Sequence, residues 1–309
     1  MQVVIPAALP PAAVAGELAR QLPQRAPRLH AWLRQAAAAV ERLDLREAGC
    51  TPFEAWQLRQ AGFSPAPGQP LGAGLGPLRA GAQAGAGEPV WLAELAHVAL
   101  STDRVVLADP DGLAVSARED AALHEAVRPL LEGSGFDLRP LRPGLWLARL
   151  PEGVRAASAS PAVVAGGSLD AWWPQDAQSR PWRRLLNEIQ MAWHEHPANE
   201  ARAGRGLPPV NGLWLYGGAR PWTPGPAEPA EVHEDLLAPA HGGDWHAWLQ
   251  ALAALDARLP DPLRPAAPPP TLVLTGAART ARLTLPANRL LRRLAWPKKN
   301  WNTWWSSPD

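Results

Sequence analysis

Apolar residues along this chain fall into runs whose spacing switches between two and about 3.6, and the switches predict the elements. Val3–Ile5 reads as a short strand. From Leu29 to Leu45, Trp32, Leu33, Val40 and Leu43 share one stripe, which predicts a single amphipathic helix. Thr51 and Glu54 flank Pro52 and form a capping box, so a second helix is expected to run to about Gln60 and stop at Gly62. Between Ser64 and Glu88 the chain is rich in Gly, Ala and Pro without apolar periodicity. A loop or linker, and with it a domain boundary, is expected there. The LGAGLG inside it lacks the leading strand and following helix of a dinucleotide-binding turn.

Beyond Pro89 the pattern tightens. His97–Leu100 and Arg104–Leu107 predict two strands, followed by a turn at Asp109-Pro110-Asp111-Gly112. Ser116 and Glu119 form another capping box, and Leu123, Val127, Leu130 and Leu131 line the helix it starts. Phe136–Leu141 and Leu145–Leu150 predict a hairpin around Pro143-Gly144. Strand, strand, helix, strand, strand in that order predicts an α+β fold with the helix on a mostly antiparallel sheet. Past the Gly166-Gly167 loop, a helix is expected from Trp182 to Gly204, then a short strand at Leu213–Leu215 closed by Gly217-Gly218. A proline-rich stretch follows from Arg220, then a helix from Asp244 to Leu259. The Pro260–Pro270 spacer leads to a hairpin of Thr271–Thr275 and Arg282–Leu285. Three segments result: 1–88, an α+β core at 89–220, and 221–309.

Composition narrows the classes of function. With 309 residues and 47% hydrophobic content, the chain can bury one large core or two modest ones. A formal charge of +1 sets up no field for nucleic acid or an anionic membrane, and neither partner is expected. The single cysteine, Cys50, excludes an internal disulfide framework and a cysteine-based zinc site, and fits a cytoplasmic protein. No basic region precedes an apolar stretch at the N-terminus, and no apolar run reaches the roughly 20 residues of a membrane span. Trp32, Trp56, Trp182 and Trp193 fall on predicted helices, where packing is their expected use. The ending WPKKNWNTWWSSPD, with Lys298 and Lys299, is expected to dock on its own protein or fray.

The densest chemistry lies between His194 and Gly218. Gly206 ends the predicted helix, Pro208 and Pro209 force an extended entry, and Asn199, Arg202 and Asn211 gather at the helix-to-strand corner. An arginine fork with two carboxamides can hold a phosphate or carboxylate. It can equally stitch a loop to its own backbone, which is the commoner use of Asn in such a corner. His194 and His196 are two apart and point in different directions on a helix, so they do not clamp a metal. No nucleophile elbow, phosphate-binding glycine loop or Cys-His pair is present.

His196, Pro197, Asn199, Arg202, Gly206, Pro208, Asn211, Trp214, Leu215 and Gly217 carry the pattern H-P-x-N-x-x-R-x-x-x-G-x-P-x-x-N-x-x-W-L-x-G. It resembles a signature of the archaeal-type, cofactor-independent phosphoglycerate mutases of the alkaline phosphatase superfamily. A second block resembles those mutases by element order: Val105–Asp109, Gly112, the helix from Ser116, Gly135-Phe136 and Pro143-Gly144. Over most of its length the chain resembles a bacterial family labelled either RpfE-type regulatory protein or simply phosphoglycerate mutase. The resemblance implies a site with two divalent metals and a hydroxyl nucleophile, built from acids and histidines outside the matching region. Here the first strand ends Ile5-Pro6-Ala7-Ala8 without an acid, and Leu274-Thr275-Gly276 is followed by no Asp-x-x-x-His. The Tyr-Arg-His that such mutases place after the hairpin's Pro-Gly is Leu145-Trp146-Leu147-Ala148-Arg149 here.

The expectation is therefore a non-catalytic regulatory or ligand-binding protein without metal or cofactor. His196, Asn199, Arg202, Asn211 and Trp214 form its signature, and its partner is a phosphorylated small metabolite or another protein. Two rivals stand beside it: an active mutase or phosphatase with a site rebuilt from His233, Asp235, His241, Asp244 and His246, and a structural interaction module.

Overall fold

The structure, a computed structural model, describes residues 1–85, 87–100, 104–155, 159–165, 167–173, 175–263, 268–286 and 301–307. Gly166, Lys298, Lys299 and the middle of the proline spacer lie outside them. The chain forms two units, one from 1–44, 51–56 and 226–309, the other from 45–50 and 57–225. In chain order the strands are β1 (Gln2–Leu9), β2 (Ala37–Arg42), β3 (Val90–Ala96), β4 (Val98–Leu100), β5 (Val105–Leu107) and β6 (Asp137–Arg142). They continue with β7 (Leu145–Arg149), β8 (Gly212–Ala219), β9 (Ala230–Val232), β10 (Thr271–Gly276) and β11 (Arg279–Thr284). The architecture is α+β.

The first unit holds a sheet of order β2-β11-β10-β1-β9, in which β1 runs parallel to both neighbours and β10-β11-β2 is antiparallel. The near-continuous apolar run of β1 follows from that place, since a strand between parallel neighbours is covered on both faces. Leu18 and Leu22 from the Ala12–Arg25 helix, Leu29 and Trp32 from Pro27–Gln35, and Trp248 and Leu252 from Trp245–Asp256 complete its core. The Asp256 carboxylate accepts the N–H groups of Arg28 and Leu29 at 3.0 and 2.8 Å, capping Pro27–Gln35 from a distant part of the chain.

The helix predicted over Leu29–Leu45 ends at Gln35, and the chain turns extended at Ala36 to form β2, with Val40 exposed. Six register pairs with β11, from Ala37↔Thr284 to Arg42↔Arg279, override the helical preference of the alanines. The C-terminal aromatics do dock: Trp301–Trp305 is helical, and Trp301 and Trp305 join the same apolar core. The fully buried Arg279 donates to the Trp304 carbonyl at 2.7 Å and to the Pro10 carbonyl at 3.2 Å.

The second unit is organised by an antiparallel sheet of order β6-β7-β3-β8. The predicted hairpin of β6 and β7 is present, but β3, one of the sheet's two inner strands, gave no pattern signal. On one face Ala93, Leu95, Trp146, Leu213 and Leu215 pack against Leu123 and Val127 of the Ala117–Leu131 helix. Leu186, Ile189 and Trp193 of the Arg180–His194 helix complete that layer. Ser116 and Glu119 close the predicted capping box, as do Thr51 and Glu54 at the Pro52–Gln60 helix.

The opposite face is covered by the stretch expected to be a loop. Residues 71–84 form a short α-helix, Leu75–Ala80, between two 3-10 turns, and Gly72–Pro77 are buried. Glycine is required by proximity: a Cβ on Gly76 would collide with the Val90 carbonyl oxygen, and one on Gly72 with the Gly49 carbonyl. Gly217 and Gly218, both with positive φ, let β8 bulge opposite Val90 and Trp91. Arg79 from this cover donates to the Tyr216 hydroxyl at 2.6 Å, and that hydroxyl donates to Glu94 at 2.8 Å.

Candidate functional site

The signature corner begins where Pro197 interrupts what was expected to be one helix from Trp182 to Gly204. Two helices form instead, Arg180–His194 and Pro197–Ala203, because proline at the latter's first position supplies no N–H to continue the former. His196 caps the second helix, its Nδ1 accepting the Ala198 N–H at 3.2 Å.

Each polar side chain of the corner grips the chain itself. Asn199, 5% exposed, donates to the carbonyls of Trp193 and Val210 and accepts the Val210 N–H, all at 2.8 Å. Asn211 holds Val98 in the same two-point way, accepting its N–H at 2.7 Å and donating to its carbonyl at 2.8 Å. Arg202 is fully buried; Nε donates to the Pro208 carbonyl at 2.8 Å, Nη2 to the Leu113 carbonyl at 2.6 Å and Nη1 to Glu119 at 3.2 Å. Burial pushes the Glu119 carboxyl upward. The Ser116 hydroxyl and N–H, the Arg205 guanidinium and the charge of Arg202 together outweigh it and hold the group at about 2. His97 also joins the corner, its Nδ1 lying 2.8 Å from the Pro209 carbonyl.

Trp214 points the signature at a cavity. Its indole N–H is anchored on the Ala159 carbonyl at 2.9 Å, and its ring lies 6.1 Å from that of Trp173. Both rings line a cavity of about 220 Å³ whose other walls include Val98, Val105, Leu169, Leu186 and Leu213. Asn211 fixes Val98 in that wall, and a bridge between Val106 and Ser168 ties β5 to the opposite rim. Gln190 also lines it; its amide N–H is given to the Asn211 carbonyl at 2.9 Å, and its Oε1 has no hydrogen-bond partner among the described residues. Among the lining residues whose side chains are described, none is charged. The pattern of the chain carried one missed clue: Gln190 is a carboxamide next to Ile189 and four residues from Leu186 on a strongly amphipathic helix.

The residues of the rebuilt-site alternative have other engagements, except that the buried Nε2 of His233 makes no hydrogen bond although it lies near a carboxylate. His233 Nε2 lies 3.2 Å from Glu231, Asp235 pairs with Arg258, Asp244 caps Trp245–Asp256 through the Ala247 N–H, and His246 contacts Gln250 at 2.9 Å. Among the described residues no three His, Cys, Asp or Glu side chains gather where they could hold a metal. No helix among the described residues is long and apolar enough to cross a membrane.

No protein-family model matches the chain, and no curated protein matches its sequence. Among solved structures, the chain is similar to a cofactor-independent phosphoglycerate mutase from Thermoplasma acidophilum DSM 1728. That match has 13% identity and a TM-score of 0.35, and spans 93% of this chain and 90% of the other. It is also similar to the PH0037 protein from Pyrococcus horikoshii, at 10% identity and a TM-score of 0.43, over 93% of this chain and 88% of that one.

Proposed function

We propose that this is a non-catalytic, cytoplasmic ligand-binding protein of regulatory type, akin to the RpfE-type proteins. One observation carries the reading: the signature's polar groups face the chain itself, with Asn211 also fixing Val98 in a cavity wall, rather than converging on open space where a phosphate would sit. Arg202 supports it most directly, because a fully buried guanidinium with three of its nitrogens already bonded has little left to offer a metabolite. Ala7, Ala8, Thr275 and Gly276 at the ends of β1 and β10 offer no carboxylate, which supports the absence of two-metal chemistry there.

The test pairs an assay with a melt. Purified protein with manganese and 3-phosphoglycerate is expected to give no turnover. Arg202→Ala is expected to lower the melting temperature without ligand, with Arg202→Lys a poor rescue because an ammonium cannot span three acceptors in one plane. Manganese-dependent turnover would overturn the reading in favour of a mutase or phosphatase. An unchanged melt for Arg202→Ala, with lost binding of 3-phosphoglycerate, would return Arg202 to the role of phosphate ligand.

A further inference from the structure

We infer that the cavity between β8, the β4-β5 hairpin and the Arg180–His194 helix binds a planar bicyclic aromatic molecule bearing one N–H donor, of the indole class. The inference rests on the reading of this protein as a ligand binder and names the chemistry of the ligand.

Size sets the first limit. An apolar cavity of about 150 Å³ suffices for benzene, so about 220 Å³ admits a second fused ring but not a drug-sized molecule. The walls set the second. Val98, Val105, Leu169, Leu186 and Leu213 give an aliphatic surround, and Trp173 and Trp214, tilted 42° to each other, present aromatic surfaces. Flat aromatic ligands gain from stacked or edge contacts with such rings. A phosphate or carboxylate entering here would lose its hydration and meet no cation among the described lining residues.

Gln190 sets the third limit. Its amide nitrogen is held by the Asn211 carbonyl at 2.9 Å, which fixes the carboxamide and leaves Oε1 as the acceptor. An N–H on the ligand would satisfy it, whereas a wholly apolar ligand would strip water from it without replacement. Asn211 and Trp214 thereby acquire a shared purpose: one fixes Val98 and Gln190, the other supplies a wall.

The test is calorimetric titration of the full chain with indole, and with benzothiophene as a near-isostere lacking the N–H. The expected result is saturable one-to-one binding of indole, with benzothiophene about tenfold weaker, the worth of one neutral hydrogen bond. Gln190→Met is expected to weaken indole about tenfold and leave benzothiophene unchanged. Val105→Trp, which fills the cavity from its half-buried rim, is expected to abolish both while retaining a cooperative melt. No saturable binding to wild type, or equal binding by a folded Val105→Trp, overturns the site. Equal affinity for the two ligands, with no response to Gln190→Met, overturns the N–H requirement. Absence of indole binding in a protein that also turns over no 3-phosphoglycerate removes this inference alone. Turnover with indole binding intact removes the non-catalytic reading alone.

Discussion

Asn199 holds Val210 by both of its backbone groups, Oδ1 taking the N–H and Nδ2 giving to the carbonyl, each at 2.8 Å. A side chain here does the work of a neighbouring strand, at a point where the chain leaves Pro208 and Pro209 and its backbone pairs only from Asn211 onward. Val210 is itself fully buried, so water offers neither group an alternative. Asn199→Ala should therefore orphan two backbone groups at roughly 1–3 kcal/mol each. Asn199→Asp should rescue little, since it replaces the donor aimed at two carbonyls with an acceptor. Chemical denaturation of the three proteins checks this, and an aspartate variant as stable as wild type would sink it.

Glu119 gives the corner a pH dependence of definite sign. Its carboxyl is held at about 2 against an ordinary 4.5, so the folded state binds the proton less readily than the unfolded chain. The stabilisation is present in full above about 4.5 and is lost as pH falls from there towards about 2. Glu119→Gln should be clearly less stable than wild type near neutrality, and the two should converge across that acid window. Denaturant midpoints measured at intervals down to the acid limit test it; a stability gap that stays constant with pH would show that Glu119 acts by packing alone.

Much of this architecture is legible in the residues; the helix break at Pro197 is a local signal passed over, and the other failures share one cause. Capping boxes at Thr51 and Ser116, the β6-β7 and β10-β11 hairpins and the Asp244-capped helix are local patterns, and local patterns suffice for them. VWLAELA in β3 and AAAVER in β2 are built largely from Ala, Leu, Glu and Arg, which favour helices, and they are strands because partners far along the chain pair with them. The corner divides the same way. Its residues could be named from their spacing, but the acceptors they find, such as Leu113 and Val98, depend on tertiary approach. The cavity had no sequence signal beyond one polar residue on an apolar stripe.

Two glycines separate close approach from mere flexibility. Gly16 sits exposed within the Ala12–Arg25 helix, and a Cβ there would meet nothing within 4 Å. Gly16→Ala should stabilise the protein by about 0.5–1 kcal/mol, the gain in helix preference. At Gly76 the same methyl group would collide with the Val90 carbonyl, so Gly76→Ala should destabilise and loosen residues 71–84 from β3 and β8. Hydrogen exchange reads both effects: in wild type the buried stretch Gly72–Pro77 should be protected, and in Gly76→Ala it should exchange early. A Gly76→Ala protein with wild-type protection would mean the backbone can shift without cost.

Tyr216 offers a direct spectroscopic check, because it is the chain's single tyrosine and any tyrosinate signal belongs to it. Burial raises its hydroxyl well above the ordinary 10.0; the Arg79 charge works against that, and the Glu94 charge adds to it. Since the folded state keeps this proton to higher pH than the unfolded chain, the stability it contributes is complete below about 10.0 and falls as pH rises beyond. Alkaline titration followed by tyrosinate absorbance should thus show no ionisation while the fold persists, and then a cooperative rise that coincides with loss of far-ultraviolet dichroism. Glu94→Gln should bring ionisation to lower pH by removing a facing anion, yet leave it above the ordinary value because burial remains the larger influence. Tyrosinate appearing near 10.0 in wild-type protein whose dichroism is unchanged would mean that Arg79 and Glu94 do not seal this hydroxyl under residues 71–84.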